Sequence, residues 1–236
     1  MERFKRTESL IGEDLVKKLN NSSVAVFGLG GVGGYVVESL VRAGIGKIAL
    51  IDNDTVSESN INRQIIATYK TVGKLKTEAF RDRLLDINPD LKIEVFNLFY
   101  LKDTADKIDL KNYDYVVDAI DTVAGKCEVI FRAKSLGVPV ISCMGTGNKL
   151  DATAFTVADI SKTSYCPLAK SVRRQLKSMG VESGVKAVFS KEEPKSVATG
   201  CDFKGKGFAP SSISFVPGVA GLITAGEVVK DLIGIN

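Results

Sequence analysis

The pattern of apolar and polar positions predicts strands that alternate with helices along the first part of the chain. The run VAVF at 24–27 is followed by a glycine turn and by apolar residues at helical spacing, which end at Gly44. The alternation continues downstream, with amphipathic helices predicted at 75–89 and 122–137 and strands at 47–51, 91–96, 113–121 and 138–145. Such alternation is typical of a parallel sheet with right-handed crossovers. We therefore expect an α/β fold with a Rossmann-like, mostly parallel sheet and flanking helices.

After Gly147 the pattern changes and predicts an antiparallel C-terminal part that extends the sheet. Residues 151–160 have the pattern of an antiparallel strand. The elements predicted beyond it are a basic helix at 167–180, a strand at 185–190, a polar loop from about 191 to 210, and a closing strand and apolar helix at 212–234. We expect one domain spanning 1–236, in which 1–147 bind a nucleotide and 148–236 carry substrate specificity.

Composition indicates a globular protein, since 44% of the 236 residues are hydrophobic and 25% are charged. The N-terminal residues carry charges and no apolar h-region, which argues against a secretory signal. The apolar stretch at 212–234 contains Pro217 and Glu227, and its unbroken part is too short to span a bilayer. We expect a cytoplasmic protein without stable membrane insertion.

The chain has no histidine, and its four cysteines form no CxxC pair. This argues against a structural zinc site and excludes Ser-His or Cys-His catalysis. Reduced thiols are expected rather than a disulfide framework. Cys127 and Cys143 are predicted to lie in the core, and Cys166 has no assigned role. Cys201 is predicted to be an exposed loop thiol, with an acceptor thiol for a carrier protein as the alternative.

The motif GLGGVG at 28–33 lies between a predicted strand and a predicted helix. Its glycines permit a tight turn in which backbone N–H groups approach phosphate oxygens at the start of a helix. Asp52 follows the next strand, where an acid can hold ribose hydroxyls. These features alone fit an NAD-dependent dehydrogenase equally well.

The segment DNDTVSESNINRQ at 52–64 favours a different chemistry. It supplies Asn60, Asn62, Arg63 and Gln64, and Lys76 begins the next helix. An enzyme that cleaves a triphosphate at its α-phosphate needs such donors because negative charge develops there. The predicted strand at 113–121 ends in two carboxylates that are candidate magnesium ligands, Asp118 and Asp121. Taken singly, each of these residues could instead form a surface ion pair or cap a helix.

In combination these motifs resemble the ThiF/MoeB/HesA superfamily of ubiquitin-activating-like adenylating enzymes, over roughly 3–145. The resemblance implies ATP and Mg²⁺ as cofactors, with a monovalent cation as a further candidate. It implies catalytic roles for Arg63, Lys76, Asn60 and Arg6, with Arg6 reaching the phosphates of the neighbouring subunit of a homodimer. It assigns Asp121 as the ligand of the Mg²⁺ ion. The implied nucleotide-binding residues are Gly28, Gly30, Gly31, Gly33, Asp52, Asp54, Asn60, Arg63, Gln64, Lys76 and Asp121.

Members of the superfamily that activate carrier proteins usually have CxxC pairs, which are absent here. The chain is instead similar to the branch of tRNA threonylcarbamoyladenosine dehydratases, in the segments at 164–180, 188–194 and 212–234. In that branch the carboxylate of threonylcarbamoyladenosine, in the tRNA anticodon loop, is adenylated and then cyclised with net loss of water. One alternative is adenylation of the C-terminal glycine of a ubiquitin-like or sulfur-carrier protein. Another is a non-catalytic ATP-binding scaffold for a cysteine desulfurase or sulfur-acceptor system.

Charge is distributed unevenly, in a way that suits an RNA substrate. Residues 1–148 contain 20 basic and 20 acidic side chains, whereas 149–206 contain 11 and 6. Clustered positive charge can bind phosphates, although solvated surface charge is the more common explanation. The candidate tRNA contacts are Arg173, Arg174 and Lys177, followed by Lys162, Lys170, Lys186 and Lys195. No DNA partner is expected.

Overall fold

The structure is a computed structural model, and it describes residues 1–196 and 210–235. These residues form a seven-stranded sheet with the order β3-β2-β1-β4-β5-β7-β6. The strands are β1 (Ser23–Phe27), β2 (Lys47–Ile51), β3 (Lys92–Phe96), β4 (Tyr115–Asp118), β5 (Val140–Cys143), β6 (Phe155–Asp159) and β7 (Lys186–Ser190). The helices are α1 (Lys5–Ile11), α2 (Glu13–Asn21), α3 (Gly33–Ala43), α4 (Lys76–Ile87), α5 (Val123–Leu136), α6 (Pro167–Ser178) and α7 (Phe215–Ile233).

The sheet is parallel except at one edge. β1 pairs in parallel with β2 and β4, and the parallel pairing continues from β4 through β5 to β7. Only β6 runs antiparallel, against β7, with Val157 opposite Val188. This arrangement confirms the predicted mostly parallel sheet with an antiparallel C-terminal extension. It also places the carboxyl ends of the parallel strands at one common edge, where ligands bind in open α/β sheets.

Each face of the sheet is covered by helices because the strands alternate their side chains. Val26 and Leu50 point to the face covered by α3, α4 and α7, whereas Ala25 and Phe27 point to the face covered by α5 and α6. α7 packs along α3 at very short range, since a Cβ on Gly221 would lie 2.5 Å from the carbonyl oxygen of Val32. The last helix therefore supports the helix that begins directly after the glycine loop.

Two parts of the sequence prediction differ from the structure. The strand predicted at the start of 212–234 is wrong, because residues 210–214 are irregular and α7 begins at Phe215. Pro217 lies in the first turn of that helix, where its missing N–H breaks no helical hydrogen bond. The N-terminal helices α1 and α2 were not predicted. Across the described part of the chain, none of the helices combines the length and apolar character needed to cross a bilayer.

Candidate functional site at the carboxyl edge of the sheet

Gly28 and Gly33 are required by the shape of the glycine loop itself. Gly28 has φ +86°, and a Cβ on it would lie 2.7 Å from the carbonyl oxygen of Ala119. A Cβ on Gly33 would lie 1.8 Å from the carbonyl oxygen of Gly28. The loop therefore closes tightly on itself and on the backbone that follows β4, and no larger residue fits either position.

Gly30 and Gly31 lie on the side of the loop that faces the polar cluster of 60–64. A Cβ on Gly30 would find its nearest neighbour at 3.9 Å, the side-chain nitrogen of Gln64. A Cβ on Gly31 would lie 3.2 Å from Pro217 and 3.5 Å from Arg63. Space is thus left over the loop backbone at Gly30, as close approach of a phosphate requires.

Asp52 connects the end of β2 to the glycine loop. Its two carboxylate oxygens accept hydrogen bonds from the backbone N–H of Leu29 at 2.7 Å and of Asp54 at 2.8 Å. Burial raises the pKa of Asp52 above its usual value, and nearby Lys76 and the two N–H groups oppose that rise. A carboxylate held in this way is fixed in orientation beside the loop that the resemblance assigns to the nucleotide.

Lys76 brings a buried cation to the same place. It is the first residue of α4, and its side chain is 6% exposed. Its Nζ lies 2.7 Å from Oδ2 of Asp54 and 3.9 Å from Oδ1 of Asp52. The structure therefore brings together three of the predicted site residues, Asp52, Asp54 and Lys76, in one charged network.

Asn60, Arg63 and Gln64 form a compact turn next to that network. The Asn60 side chain accepts from the backbone N–H of Ser57 at 3.1 Å, which fixes the short helix Glu58–Asn60. Arg63 donates to the Ser59 carbonyl at 3.0 Å and to the Asn62 side chain at 2.8 Å. Burial lowers the pKa of Arg63, yet a guanidinium remains charged at neutral pH.

The buried side chain of Gln64 has a polar atom without a protein partner. Gln64 is 6% exposed and lies against Gly30. Its Oε1 is buried and has no hydrogen-bond partner within residues 1–196 and 210–235. A buried acceptor without a partner costs about 1–3 kcal/mol, so such a position in a site suits a ligand that supplies the donor.

Asp118 is not available to a metal ion, in contrast to its candidacy from the sequence. Asp118 and Lys126 are both fully buried, and Nζ of Lys126 lies 3.0 Å from the Asp118 carboxylate. Lys126 also donates to the carbonyls of Ile120 at 2.9 Å and Cys143 at 2.8 Å. The carboxylate accepts a further hydrogen bond from the hydroxyl of Ser142. This cluster ties the carboxyl ends of β4 and β5 together, because Asp118 is the last residue of β4 and Cys143 is the last residue of β5.

Sequence reasoning missed Lys126. The available signal was its position in helix α5, in register with the apolar residues Ile130 and Ala133 that face the sheet. A lysine on such a face needs buried acceptors. Asp118, the acid at the end of the preceding strand, was the obvious candidate for the acceptor that pairs with this lysine.

Asp121, the predicted metal ligand, is exposed and lies three residues beyond the end of β4. The backbone just before it contacts the glycine loop, since Ala119 lies against Gly28. In the part of the chain that the structure describes, no group of three or more acids or cysteines is placed to hold an ion. Any metal at Asp121 would therefore take most of its ligands from elsewhere.

Arg6 lies far from these residues within one subunit. It is exposed on α1, beside Phe4, which packs against Gly44 ahead of β2. Arg3 forms an ion pair with Asp90, ahead of β3. These contacts hold the N-terminal segment at the amino ends of the strands, opposite to the edge that carries the glycine loop.

The basic candidates on α6 fall into two groups. Arg173 is half-buried and donates to the backbone carbonyl of Thr163 at 2.9 Å, so it anchors the preceding loop. Lys170, Arg174 and Lys177 are exposed and lie along one helical face at positions i, i+4 and i+7. Lys177 also lies 3.7 Å from Glu182.

The remaining lysine candidates occupy different settings. Lys162 and Lys195 are exposed, whereas Lys186 lies 3.1 Å from Glu227 and 2.7 Å from Asp231 on α7. The two ion pairs neutralise Lys186 and connect β7 to the last helix.

Of the cysteines, Cys127 and Cys143 lie in the core as predicted. Cys127 and Cys143 are buried, and burial raises the pKa of their thiols to about 11 and about 12. Cys166 is buried at the start of α6, where its sulfur accepts from the N–H of Ala169 at 3.4 Å. Cys201, the alternative acceptor thiol, lies outside the described residues.

Comparisons with known proteins agree with the resemblance found in the motifs. The model of the ThiF family matches residues 4–236. The tRNA threonylcarbamoyladenosine dehydratase of Bacillus subtilis is 40% identical over 242 residues, covering 99% of this chain and 95% of that protein. The protein of the same name from Escherichia coli K12 is 36% identical over 236 residues, covering 95% and 88%.

The fold agrees as well. A crystal structure of E. coli tRNA N6-threonylcarbamoyladenosine dehydratase, TcdA, in complex with ATP has a TM-score of 0.90 at 33% identity, covering 99% of this chain and 94% of that one. The same E. coli protein in complex with AMP gives a TM-score of 0.91. The chain belongs to the ThiF family.

Proposed function

We propose that this protein uses ATP to adenylate the carboxylate of threonylcarbamoyladenosine in the tRNA anticodon loop and then cyclises that group. Both full-length relatives bear the name of this dehydratase, and the E. coli protein was crystallised with ATP and with AMP. The observation in this chain that carries the proposal is the cluster at the carboxyl edge of the sheet. It sets a glycine loop with open space beside a fixed carboxylate, a buried lysine and an arginine.

Each residue of the cluster has a role that its geometry supports. Asp52 holds the ribose hydroxyls, because its carboxylate is already oriented beside the loop. The backbone at Gly30 and Gly31 approaches the phosphates, and the side-chain oxygen of Gln64 accepts from the nucleotide. Asp54, the further nucleotide-binding candidate, keeps Lys76 in place beside the loop.

Catalysis consists of charge stabilisation at the α-phosphorus. Arg63, Lys76 and Asn60 supply donors where negative charge accumulates in the transition state. A carboxylate oxygen of the substrate attacks the α-phosphorus, and pyrophosphate leaves. The carbamoyl group then bonds to the activated carboxyl carbon, AMP leaves, and the carbamoyl nitrogen loses a proton. Because this nucleophile is part of the same substrate, a chain without histidine can catalyse the step.

Mg²⁺ would neutralise charge on the phosphates of bound ATP. Asp121 is the residue proposed to hold it, as one exposed carboxylate, because magnesium bound to nucleotides takes most of its ligands from phosphates and water. A monovalent cation is proposed as a further cofactor that the protein binds. Comparing initial rates in potassium and in choline chloride of equal ionic strength tests it, and equal rates would count against it.

The active form is proposed to be a homodimer in which Arg6 completes the site of the partner. The support is that Arg6 lies at the amino ends of the strands, away from the nucleotide loop of its own subunit. Mixing Arg6→Ala and Lys76→Ala proteins tests this arrangement. If the sites are shared, mixed dimers regain one working site. Absence of any recovery would contradict it.

The C-terminal half from residue 148 is proposed to bind the tRNA, in keeping with the division of the domain at 147. Its exposed basic face on α6, formed by Lys170, Arg174 and Lys177, begins beside the carboxyl end of β5. We expect the protein to act in the cytoplasm, where its tRNA substrate is found.

Exchange of labelled pyrophosphate into ATP tests the adenylation step. We expect exchange to require tRNA bearing threonylcarbamoyladenosine and to be absent with the same tRNA lacking that modification. Exchange that requires instead a carrier protein ending in glycine would support the alternative adenylation reaction. ATP binding without exchange under either condition would support the scaffold or sulfur-acceptor alternative.

A further inference from the structure

Tyr165 has a backbone conformation that aromatic residues rarely adopt. Its φ is +54°, and the structure describes one other non-glycine residue with positive φ, Asn148. Asparagine tolerates the left-handed region because its short side chain forms local hydrogen bonds, whereas tyrosine gains no such compensation. Unfavourable backbone conformations of this kind persist where the surroundings impose them, and they cluster at functional sites.

The ring of Tyr165 is nevertheless exposed. The residue is 57% exposed, so burial of the ring does not offset the unfavourable backbone. Its neighbours are anchored firmly: the buried Thr163 donates its hydroxyl to the Ile160 carbonyl at 2.7 Å and accepts from Arg173. On the other side, Cys166 is buried and caps α6. The anchored backbone on both sides of Tyr165 therefore presents an aromatic ring to solvent.

The segment of the chain that carries this ring is purely basic. Residues 160–181 contain five lysines and arginines and no aspartate or glutamate. Lys162, Lys170 and Arg174 are exposed within nine residues of the tyrosine. Cys166 lies against Gly145, just beyond the carboxyl end of β5, so the ring is at the same edge of the sheet as the glycine loop.

We propose that Tyr165 is a stacking platform for an unpaired base of the RNA substrate, with Lys170 and Arg174 binding the adjoining phosphates. Unpaired bases of RNA loops stack on exposed aromatic side chains, and cations beside the ring bind the backbone that carries them. An acidic protein segment could also pair with these cations, but it would have no group that stacks on the exposed ring. The inference rests on the proposed tRNA substrate and names the residue that positions it.

The test compares Tyr165→Asn with Tyr165→Phe in the full-length protein. Asparagine suits the left-handed backbone and removes the ring, whereas phenylalanine keeps the ring. We expect Tyr165→Asn to raise KM for the modified tRNA about tenfold, with kcat and the KM for ATP unchanged. Its Tm should rise by about 2–4 °C because backbone strain is relieved. Tyr165→Phe should retain the wild-type KM.

Salt dependence separates stacking from phosphate binding. Lys170→Ala and Arg174→Ala should each reduce the slope of log affinity against log salt by about 0.7–0.9, whereas Tyr165→Asn should leave the slope unchanged. Lys111→Ala, an exposed lysine ahead of β4 at the opposite edge, is the matched control and should change neither slope nor KM.

The outcomes keep the two proposals distinct. If wild-type protein leaves the modified tRNA unreacted, the proposed function fails and the stacking role fails with it. If wild-type protein reacts and Tyr165→Asn keeps a KM within twofold, only the stacking role is overturned. Equal losses in Tyr165→Asn and Tyr165→Phe would assign the contact to the hydroxyl and also overturn stacking.

Discussion

Replacing Lys126 with methionine should destabilise the fold strongly. Methionine keeps most of the side-chain length and removes the charge, which leaves the carboxylate of Asp118 buried without its cation. Both side chains are fully buried and lie 3.0 Å apart. Removing one partner of such a pair costs about 3–5 kcal/mol. The carbonyls of Ile120 and Cys143 also lose a donor, which places the expected loss in the upper part of that range.

Urea unfolding at pH 7, followed by circular dichroism, measures this loss. Lys134→Met is the matched control on the same helix, because Lys134 is exposed and, among residues 1–196 and 210–235, donates only to the carbonyl of Gly184. We expect the control to change the free energy of unfolding by at most about 0.5 kcal/mol. In the double variant Lys126→Met/Asp118→Asn neither member of the pair carries a charge, so its loss should be smaller than the sum of the single losses by about 2 kcal/mol. Strict additivity, or a loss below about 1 kcal/mol for Lys126→Met, would refute the reasoning.

The other predictions concern the glycine loop, Asp52 and a buried thiol. Gly33→Ala should fold poorly, because its Cβ would meet a carbonyl oxygen at 1.8 Å. Gly30→Ala should keep the wild-type Tm and bind ATP more weakly, as measured by calorimetry. Equal Tm values for the two variants would contradict this prediction. Burial raises the pKa of Asp52, so the folded state binds that proton more tightly than the unfolded state. The free energy of unfolding of wild type, relative to that of Asp52→Asn, should therefore fall as pH rises above 3.8 and level off once the carboxyl is ionised. Urea unfolding of both proteins from pH 4 to 7 measures this difference, and an increase in it with pH would contradict the prediction. Cys143, with its pKa raised to about 12, should resist iodoacetamide at pH 8 until the protein is unfolded, as peptide mapping will show.

Much of the fold was predictable because its signals are local. The parallel strands of the first half are short apolar runs or, in β3, an alternating run, and each intervening helix has an apolar face. The strand predicted at the start of 212–234 was wrong because so short an alternating stretch before a helix carries little information. Its actual structure depends on a distant contact, in which Ser211 and Asn148 exchange hydrogen bonds.

The candidate site was predictable in its residue types and only partly in its arrangement. Asp52, Asn60, Arg63 and Lys76 were identified from motifs whose spacing along the chain is informative. The motifs gave no indication that Asp54 pairs with Lys76.

Other features of the site depend on tertiary packing. The pairing of Asp118 with Lys126 joins a strand end to the following helix, and no motif encodes it. The left-handed conformation of Tyr165 was equally inaccessible, because nothing in the local sequence requires it.

The most direct test of the proposed function is mass spectrometry of nucleosides from tRNA bearing threonylcarbamoyladenosine, after incubation with the protein, ATP and magnesium. Nucleophilic buffers must be avoided during digestion, because they would open the cyclic product. We predict that the modified nucleoside loses one water, that the loss requires ATP, and that Arg63→Ala abolishes it. An unchanged nucleoside, in the presence of folded protein that binds ATP, would contradict the proposed function.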